Sequence, residues 1–325
     1  MFPWSSMCRS TAAARSGVPF PLRAVSSSPP AAALPKLCMD SAELQKRCGD
    51  FLRICREDGG EGSLDLSFSC DDSLAEIKIN NYTKRNALSG KMMLELERIV
   101  TELESWKTGK ALMLYGERDC FCSGGDLHFV RRIATPELGA QMSYFMQHTL
   151  HRLSNLPVVS LAVLRGAAHG GGAELCTACD YRMLTKSSDV RFVQAKLGIT
   201  TGWGGASRLA KIVGPHVALA YLLSSEPIPH SLARGTGFAQ LIFNNAEAVD
   251  MSRLWLADNI LKVPAPVVRA YKTLLSRVDS SRLLEAYELE TQAFSTTWGS
   301  AQHLDAIAAV LDKAPLSSAA TQPGS

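Results

Sequence analysis

The sequence has no apolar run near the roughly 18 residues that crossing a bilayer takes. Its longest, around 157–164, has strand length. Nor does any compact apolar stretch near the start supply the core of a secretory signal. Acidic residues are missing from 1–39, where Arg9, Arg15, Arg23 and Lys36 stand among Ser, Ala and Pro. That composition fits a cleavable transit peptide and a disordered tail equally. The 325 residues carry 34 Lys+Arg against 31 Asp+Glu, and beyond residue 39 the balance is 30 basic against 31 acidic. A nucleic-acid footprint needs a clustered basic surface, and this near neutrality gives no reason to expect one.

Several chemical signatures are also missing. Glu104 stands where a phosphate loop ending at Gly109-Lys110 needs its first glycine. No G-x-G-x-x-G opens a helix after a strand, and neither G-x-S-x-G nor H-E-x-x-H occurs. His148 and His151 share an expected helix but lack a carboxylate at ligand spacing. The nine cysteines are odd in number and, without a secretory signal, read as free thiols in a reducing compartment. Cys176-x-x-Cys179 has no second Cys/His pair at zinc spacing, so it and Cys120-x-Cys122 read as small buried residues. No metal is expected.

What is present is a hydrophobic fraction of 46% with 20% charged residues, enough for a sizeable core. A weak helix is expected over 40–62, ending at Asp58-Gly59-Gly60-Glu61-Gly62. Ile77 and Ile79 alternate in a strand at 74–80. Met93, Leu96, Val100 and Leu103 recur at helical spacing over 90–106. Strands are expected at 111–115 and 158–163, helices at 136–154 and 173–179, with loops at 116–126 and 166–172 between them. This is α/β alternation. After 204 the pattern turns helical, with candidates at 206–213, 216–224, 246–261, 266–277 and 281–296, then a Ser/Ala/Pro-rich tail over 313–325.

Two segments invite chemistry. One is Phe121-Cys122-Ser123-Gly124-Gly125-Asp126-Leu127, the other Gly166-Ala167-Ala168-His169-Gly170-Gly171-Gly172-Ala173-Glu174-Leu175. Each follows a short apolar strand and contains consecutive glycines, which let backbone approach a ligand closely. The second leads into a helix, whose first N–H groups lie at a positive dipole end. One N–H from each segment would grip a single carbonyl oxygen, as an oxyanion hole does.

Together with Lys84-Arg85-Asn86-Ala87-Leu88, Ala178-Cys179-Asp180-Tyr181-Arg182, Leu197-Gly198-Ile199, Gly202-Trp203-Gly204-Gly205 and Arg208-Leu209, these segments make the chain resemble the crotonase (enoyl-CoA hydratase/isomerase) superfamily. The resemblance runs from about 74 to 309. It implies a spiral of ββα units over 63–205, a leader over 1–62, a C-terminal helical trimerisation region over 206–312 and a disordered tail over 313–325. It also implies an acyl-CoA substrate and no cofactor, nucleic-acid or membrane partner. Assembly would be as a homotrimer or hexamer. The oxyanion donors fall on Gly125 and Gly171.

Within the superfamily, the same resemblance separates the chemistries. Hydratases use two glutamates; the first matches Glu174, while the second falls on Gln194, which cannot exchange a proton as a carboxylic acid does. Loss of CO₂ from an α-carboxyacyl-CoA generates the enolate by itself and needs no second carboxylate. Arg191-Phe192-Val193, the Trp203 motif, Glu174–Asp180 and Thr297-Trp298-Gly299 look like the ethylmalonyl-CoA decarboxylases, which act on ethylmalonyl-CoA, and less well on methylmalonyl-CoA, in metabolite repair. A one-carboxylate enoyl-CoA isomerase or hydratase and a non-catalytic acyl-CoA or RNA binder are the alternatives. Glu174 is expected to orient substrate or carry the proton. Gln194 and Trp203 would line the acyl pocket. Lys84, Arg85 and Lys272 would meet the CoA, and Leu88, Ser123, Gly124 and Asp126 would complete its binding site. Thr200-Thr201 and Ala168-His169 depart from the family's usual residues and bear on pocket shape. The resemblance points to the cytosol, the leader composition to mitochondria.

Overall fold

The computed structural model describes residues 41–244 and 247–278. The leader 1–39, the helix expected over 281–296, the Thr297-Trp298-Gly299 motif and the tail over 313–325 lie outside the described residues.

The chain begins with α1 (Ser41–Arg56), bent at Cys48, whose φ of −117° leaves the helical range. Expected as part of a weak leader, α1 instead buries Cys48, Phe51, Leu52 and Cys55 in the main hydrophobic core. The Phe51 ring lies 5.5 Å from Phe145, centroid to centroid. Next come β1 (Ser63–Ser69), β2 (Leu74–Asn80), α2 (Gly90–Ser105), β3 (Ala111–Gly116) and β4 (Cys120–Cys122). They are followed by α3 (Leu127–Arg132), α4 (Pro136–Ser154), β5 (Val159–Leu164), β6 (Ala167–His169) and α5 (Gly171–Cys176). The remainder is β7 (Tyr181–Thr185), β8 (Asp189–Arg191), α6 (Gly205–Val213), α7 (Pro215–Ser224), α8 (His230–Gly235), β9 (Leu241–Phe243), α9 (Ala248–Leu256) and α10 (Ala265–Val278).

The bounds of β2 and α4 coincide with the expected 74–80 and 136–154. Each has a strong local cause. β2 alternates around Ile77 and Ile79 between two neighbouring strands, while α4 starts with Thr135 as N-cap, accepting from the Leu138 N–H, and Pro136 in the first turn. The helix expected over 246–261 is α9 followed by a wider π turn at Ala257–Leu261. β1, β7, β8 and β9, with the short helices α3 and α8, were not anticipated. β4 and β6 lie inside segments expected as loops.

The strands sort into two sheets. The larger has the order β1-β2-β3-β5-β7-β9, parallel except for the β1–β2 hairpin. The smaller is β4-β6-β8, all parallel. Successive turns of chain therefore give one strand to each sheet, β3 then β4, β5 then β6, β7 then β8. A helical segment follows each pair. This is the expected spiral of ββα units. The inner strands β3 and β5 are nearly continuous buried apolar runs, as strands covered on both faces require, whereas the edge strand β1 alternates and is largely exposed. No helix among the described residues is long and apolar enough to cross a membrane.

Candidate active site

The site is built where the small sheet ends. β4 and β6 lie side by side, so the segments that leave them emerge as neighbours. Gly124 takes a φ of +100°, closed to most side chains, and a Cβ there would stand 3.0 Å from the Gly171 nitrogen. A Cβ on Gly172 would meet the Cys122 carbonyl oxygen at 2.0 Å. The two glycine segments thus touch through backbone, and only residues without side chains allow it.

A ladder aims the first segment. The Leu88 N–H donates to the Gly124 carbonyl at 2.8 Å, and the Asp126 N–H donates to the Leu88 carbonyl at 2.9 Å. Leu88 and Gly125 therefore form a parallel bridge. In such a bridge the middle residue's own N–H faces away from its partner strand. The Gly125 N–H is left pointing from Leu88. Gly171 opens α5, so its N–H lies outside the helical ladder. Among the described residues neither N–H is taken up by a backbone carbonyl.

The Lys84–Leu88 loop is itself pinned. Arg85 and Asn86 both have positive φ, 53° and 57°. The buried Asn86 amide fixes the bend: its Oδ1 accepts from the Asn81 N–H at 3.0 Å, and its Nδ2 donates to the Glu117 and Cys120 carbonyls at 3.0 and 2.7 Å. Asn81 in turn donates to the Ala87 carbonyl. Ser123 joins the loops through its N–H to the Arg85 carbonyl and its hydroxyl to the Lys84 carbonyl. These two asparagines had no role in the sequence reading. Paired asparagines beside a bend are the signal that points to them.

The Lys84 ammonium is held 2.7 Å from the Asp126 carboxylate, which also caps α3 by accepting the His128 and Phe129 N–H groups. Burial works to raise the Asp126 carboxyl, but Lys84 and the two N–H groups outweigh it and hold it below the ordinary range. Arg85 is exposed at the rim.

Glu174 is 2% exposed. Its Oε1 accepts from Gln194 Nε2 at 2.7 Å and the Gly202 N–H at 3.3 Å; its Oε2 accepts from the Trp203 N–H at 2.7 Å and the Gly205 N–H at 2.8 Å. Burial pushes the carboxyl above its ordinary range, while the Gly205 and Trp203 N–H groups, Arg208 and Gln194 pull it back in part. Every contact is a donor, so the ionised form fits the site. Gln194 is buried, and its Oε1 has no partner. Arg208, whose part the sequence reading missed, donates to the Glu174 and Trp203 carbonyls, both at 2.9 Å, and to the Thr177 hydroxyl. It ties α5 to the turn that carries Trp203.

The Trp203 indole, 4% exposed, lies against both glycines. A Cβ on Gly171 would come within 2.5 Å of its Cζ3, and one on Gly125 within 3.9 Å of its Cζ2, 3.1 Å of Val130 Cγ2 and 3.8 Å of Met93 Cε. The space beside the pair is apolar. The structure therefore gathers Lys84, Arg85, Leu88, Ser123, Gly124, Gly125, Asp126, Gly171, Glu174, Gln194 and Trp203. Lys272 is elsewhere. Its ammonium donates to the Asp180 carboxylate and to the Ser154 carbonyl, in a cleft of about 800 Å³ between α4, the turn before β7, α6 and α10. Gly125, Gly171 and Glu174 do not line that cleft.

Comparison with known proteins fits this geometry. Residues 69–316 match the enoyl-CoA hydratase/isomerase family. The ethylmalonyl-CoA decarboxylase of Xenopus laevis is 45% identical over 249 residues, 76% of this chain and 83% of that protein. That of Rattus norvegicus is 40% identical over 250 residues, again 76% and 83%. Among solved structures, an enoyl-CoA hydratase from Bacillus anthracis superposes with a TM-score of 0.72 at 24% identity, covering 77% of this chain and 96% of that one. A putative enoyl-CoA hydratase from Thermobifida fusca YX, in complex with acetoacetyl-CoA, gives 0.64 at 24% identity over 77% and 97%. By its matched residues and its relatives, the chain belongs to the enoyl-CoA hydratase/isomerase family.

Proposed function

We propose that the protein is an ethylmalonyl-CoA decarboxylase, acting on ethylmalonyl-CoA and less well on methylmalonyl-CoA in metabolite repair. The observation that carries the reading is the pair of N–H groups at Gly125 and Gly171, unclaimed among the described residues, beside an apolar wall and with Gln194 rather than a carboxylate facing Glu174. Relatives of that name over most of both chains support it.

The thioester oxygen sits between the two donors. The bond from the α-carbon to the carboxylate breaks, its electron pair flows into the thioester as an enolate, and CO₂ leaves. The donors strengthen as negative charge grows on the oxygen, which is differential stabilisation of the transition state. The apolar wall of Val130, Met93 and Trp203 disfavours the charged carboxylate and favours neutral CO₂. A proton from solvent then adds at the α-carbon and completes the acyl-CoA. Lys84 is committed to Asp126 and shapes the loop, so Arg85 is the nearer candidate for a CoA phosphate. The same reading carries trimeric or hexameric assembly and a place in the cytosol.

The test follows CO₂ release from ethylmalonyl-CoA and, separately, hydration of crotonyl-CoA. CO₂ release with little hydration is expected. Rapid hydration without CO₂ release overturns the reading, and tight CoA binding with neither reaction makes the protein a binder.

A further inference from the structure

We propose that Trp203 sets which acyl groups can lie against the Gly125–Gly171 pair, and that Glu174 is the positioning residue that holds Trp203 there instead of carrying a proton. The inference rests on the reading that this pair grips the thioester.

Three observations carry it. First, the Trp203 indole packs against both candidate donors, at 2.5 Å from a would-be Gly171 Cβ and 3.9 Å from a would-be Gly125 Cβ. Any substituent on the α-carbon of a thioester held between those glycines must share the space with that ring. Second, the turn that presents the ring is fastened at both ends of the Trp203 peptide unit. Its N–H donates to Glu174 Oε2 at 2.7 Å, and its carbonyl accepts from Arg208 at 2.9 Å. The approach is close: a Cβ on Gly205 would stand 2.3 Å from Glu174 Cγ. Third, a carboxylate offers about four lone-pair sites, and Glu174 meets four donors, two on each oxygen. No site is left over to accept a proton from substrate or water. A proton placed on it would face three backbone N–H groups that only donate, and could be received only by a turned-over Gln194 amide.

The consequence is a division of labour. The glycines hold charge, the indole measures bulk, and the carboxylate fixes the indole. Discrimination by an apolar wall runs about 10-fold to 200-fold per methylene, so the wall decides between α-substituents that differ by one carbon.

The experiment measures kcat and KM for methylmalonyl-CoA, ethylmalonyl-CoA and propylmalonyl-CoA in wild type, Trp203→Phe, Trp203→Ala, Glu174→Gln and Glu174→Gln/Trp203→Ala. Trp203→Ala should raise the propyl-to-methyl ratio of kcat/KM about tenfold or more, with Trp203→Phe between it and wild type. Glu174→Gln turns an amide NH₂ toward N–H donors, loosens the turn and should move the same ratio in the same direction. In the double variant the ratio should equal that of Trp203→Ala alone, because the two act in series. The pH profile of kcat should keep its wild-type limbs in Glu174→Gln. Trp203 variants that slow all three substrates equally overturn the first half. Loss of turnover in Glu174→Gln for every substrate, in both backgrounds and with a limb gone, makes Glu174 the proton carrier and overturns the second. If wild type releases no CO₂, the decarboxylase reading fails by itself. The size ratio is then read from dissociation constants of butyryl-CoA and 2-ethylbutyryl-CoA, and an unchanged ratio in Trp203→Ala sinks the inference too.

Discussion

Lys272→Met separates a cation that binds CoA from one that binds the fold. The side chain is 8% exposed, and its ammonium is shared between the Asp180 carboxylate and the Ser154 carbonyl. Met keeps the methylenes of the stem and their packing, so the change removes the charge and its hydrogen bonds. A hydrogen bond to a charged group contributes about 1.5–3 kcal/mol. Asp180 is 30% exposed and keeps its bonds from the Ser160 N–H and hydroxyl, so water and those donors recover part of the loss. The expected cost is about 2 kcal/mol. At about 2–4 °C per kcal/mol for a domain of this size, Tm falls by roughly 4–8 °C. Differential scanning calorimetry reads that shift, and steady-state kinetics at a temperature where the variant is folded reads KM for the CoA ester. Asp180→Asn is the partner experiment and should lower Tm by a similar amount. A KM raised tenfold at unchanged Tm in Lys272→Met, with Asp180→Asn silent, would refute the reasoning and return Lys272 to the phosphate role that the sequence suggested.

Two further outcomes follow from the same geometry. Asn86→Ala removes three hydrogen bonds made by a buried side chain at φ 57° and should cost about 2–4 kcal/mol; chemical denaturation measures it, and kcat/KM should fall with it because Leu88 aims Gly125. Burial pushes the thiols of Cys122, Cys176 and Cys179 up to about 12, while Cys70 is exposed. Iodoacetamide at about pH 8 should therefore label Cys70 and spare those three until the protein unfolds, as peptide mass mapping would show; early labelling of Cys122 would contradict the packing around the glycines.

The sequence made some of this legible and hid the rest for physical reasons. β2 and α4 could be read because their periodicity and caps are local. The small sheet could not. Its strands are three residues each, too short for any alternation to appear, and two of them sit among glycines that read as loop. β1 was passed over although Leu64 and Leu66 alternate, since the glycines before it suggested the end of a flexible leader. The two glycine segments could be read because close approach of backbone, as at Gly124 and Gly172, demands glycine itself; that Gly125 and Gly171 are the donors within them came from resemblance. The partners of Lys84, Lys272 and Glu174 were not, because a side chain's nearest opposite charge or donor is decided by tertiary contacts 42, 92 and up to 31 positions away. Trp203 was placed near the acyl pocket from resemblance. That its ring spans both glycines depends on the Glu174 and Arg208 clamps, which no local pattern encodes.

The two candidate donors stand just past the ends of neighbouring strands of one sheet, β4 and β6. Adjacent strands lie about 4.8 Å apart in any sheet, so the proposed grip takes its spacing from the backbone that launches the two glycine segments. It is not the sum of side-chain choices. The excursion from Ile133 to Val158, which carries α4, can gain or lose residues at its surface without moving either glycine segment. Variation at Met93, Val130 and Trp203 would re-cut the chamber while the grip stays the same size. A library randomised at those three positions would thus explore substrate scope while the backbone groups of the two glycine segments stay in place.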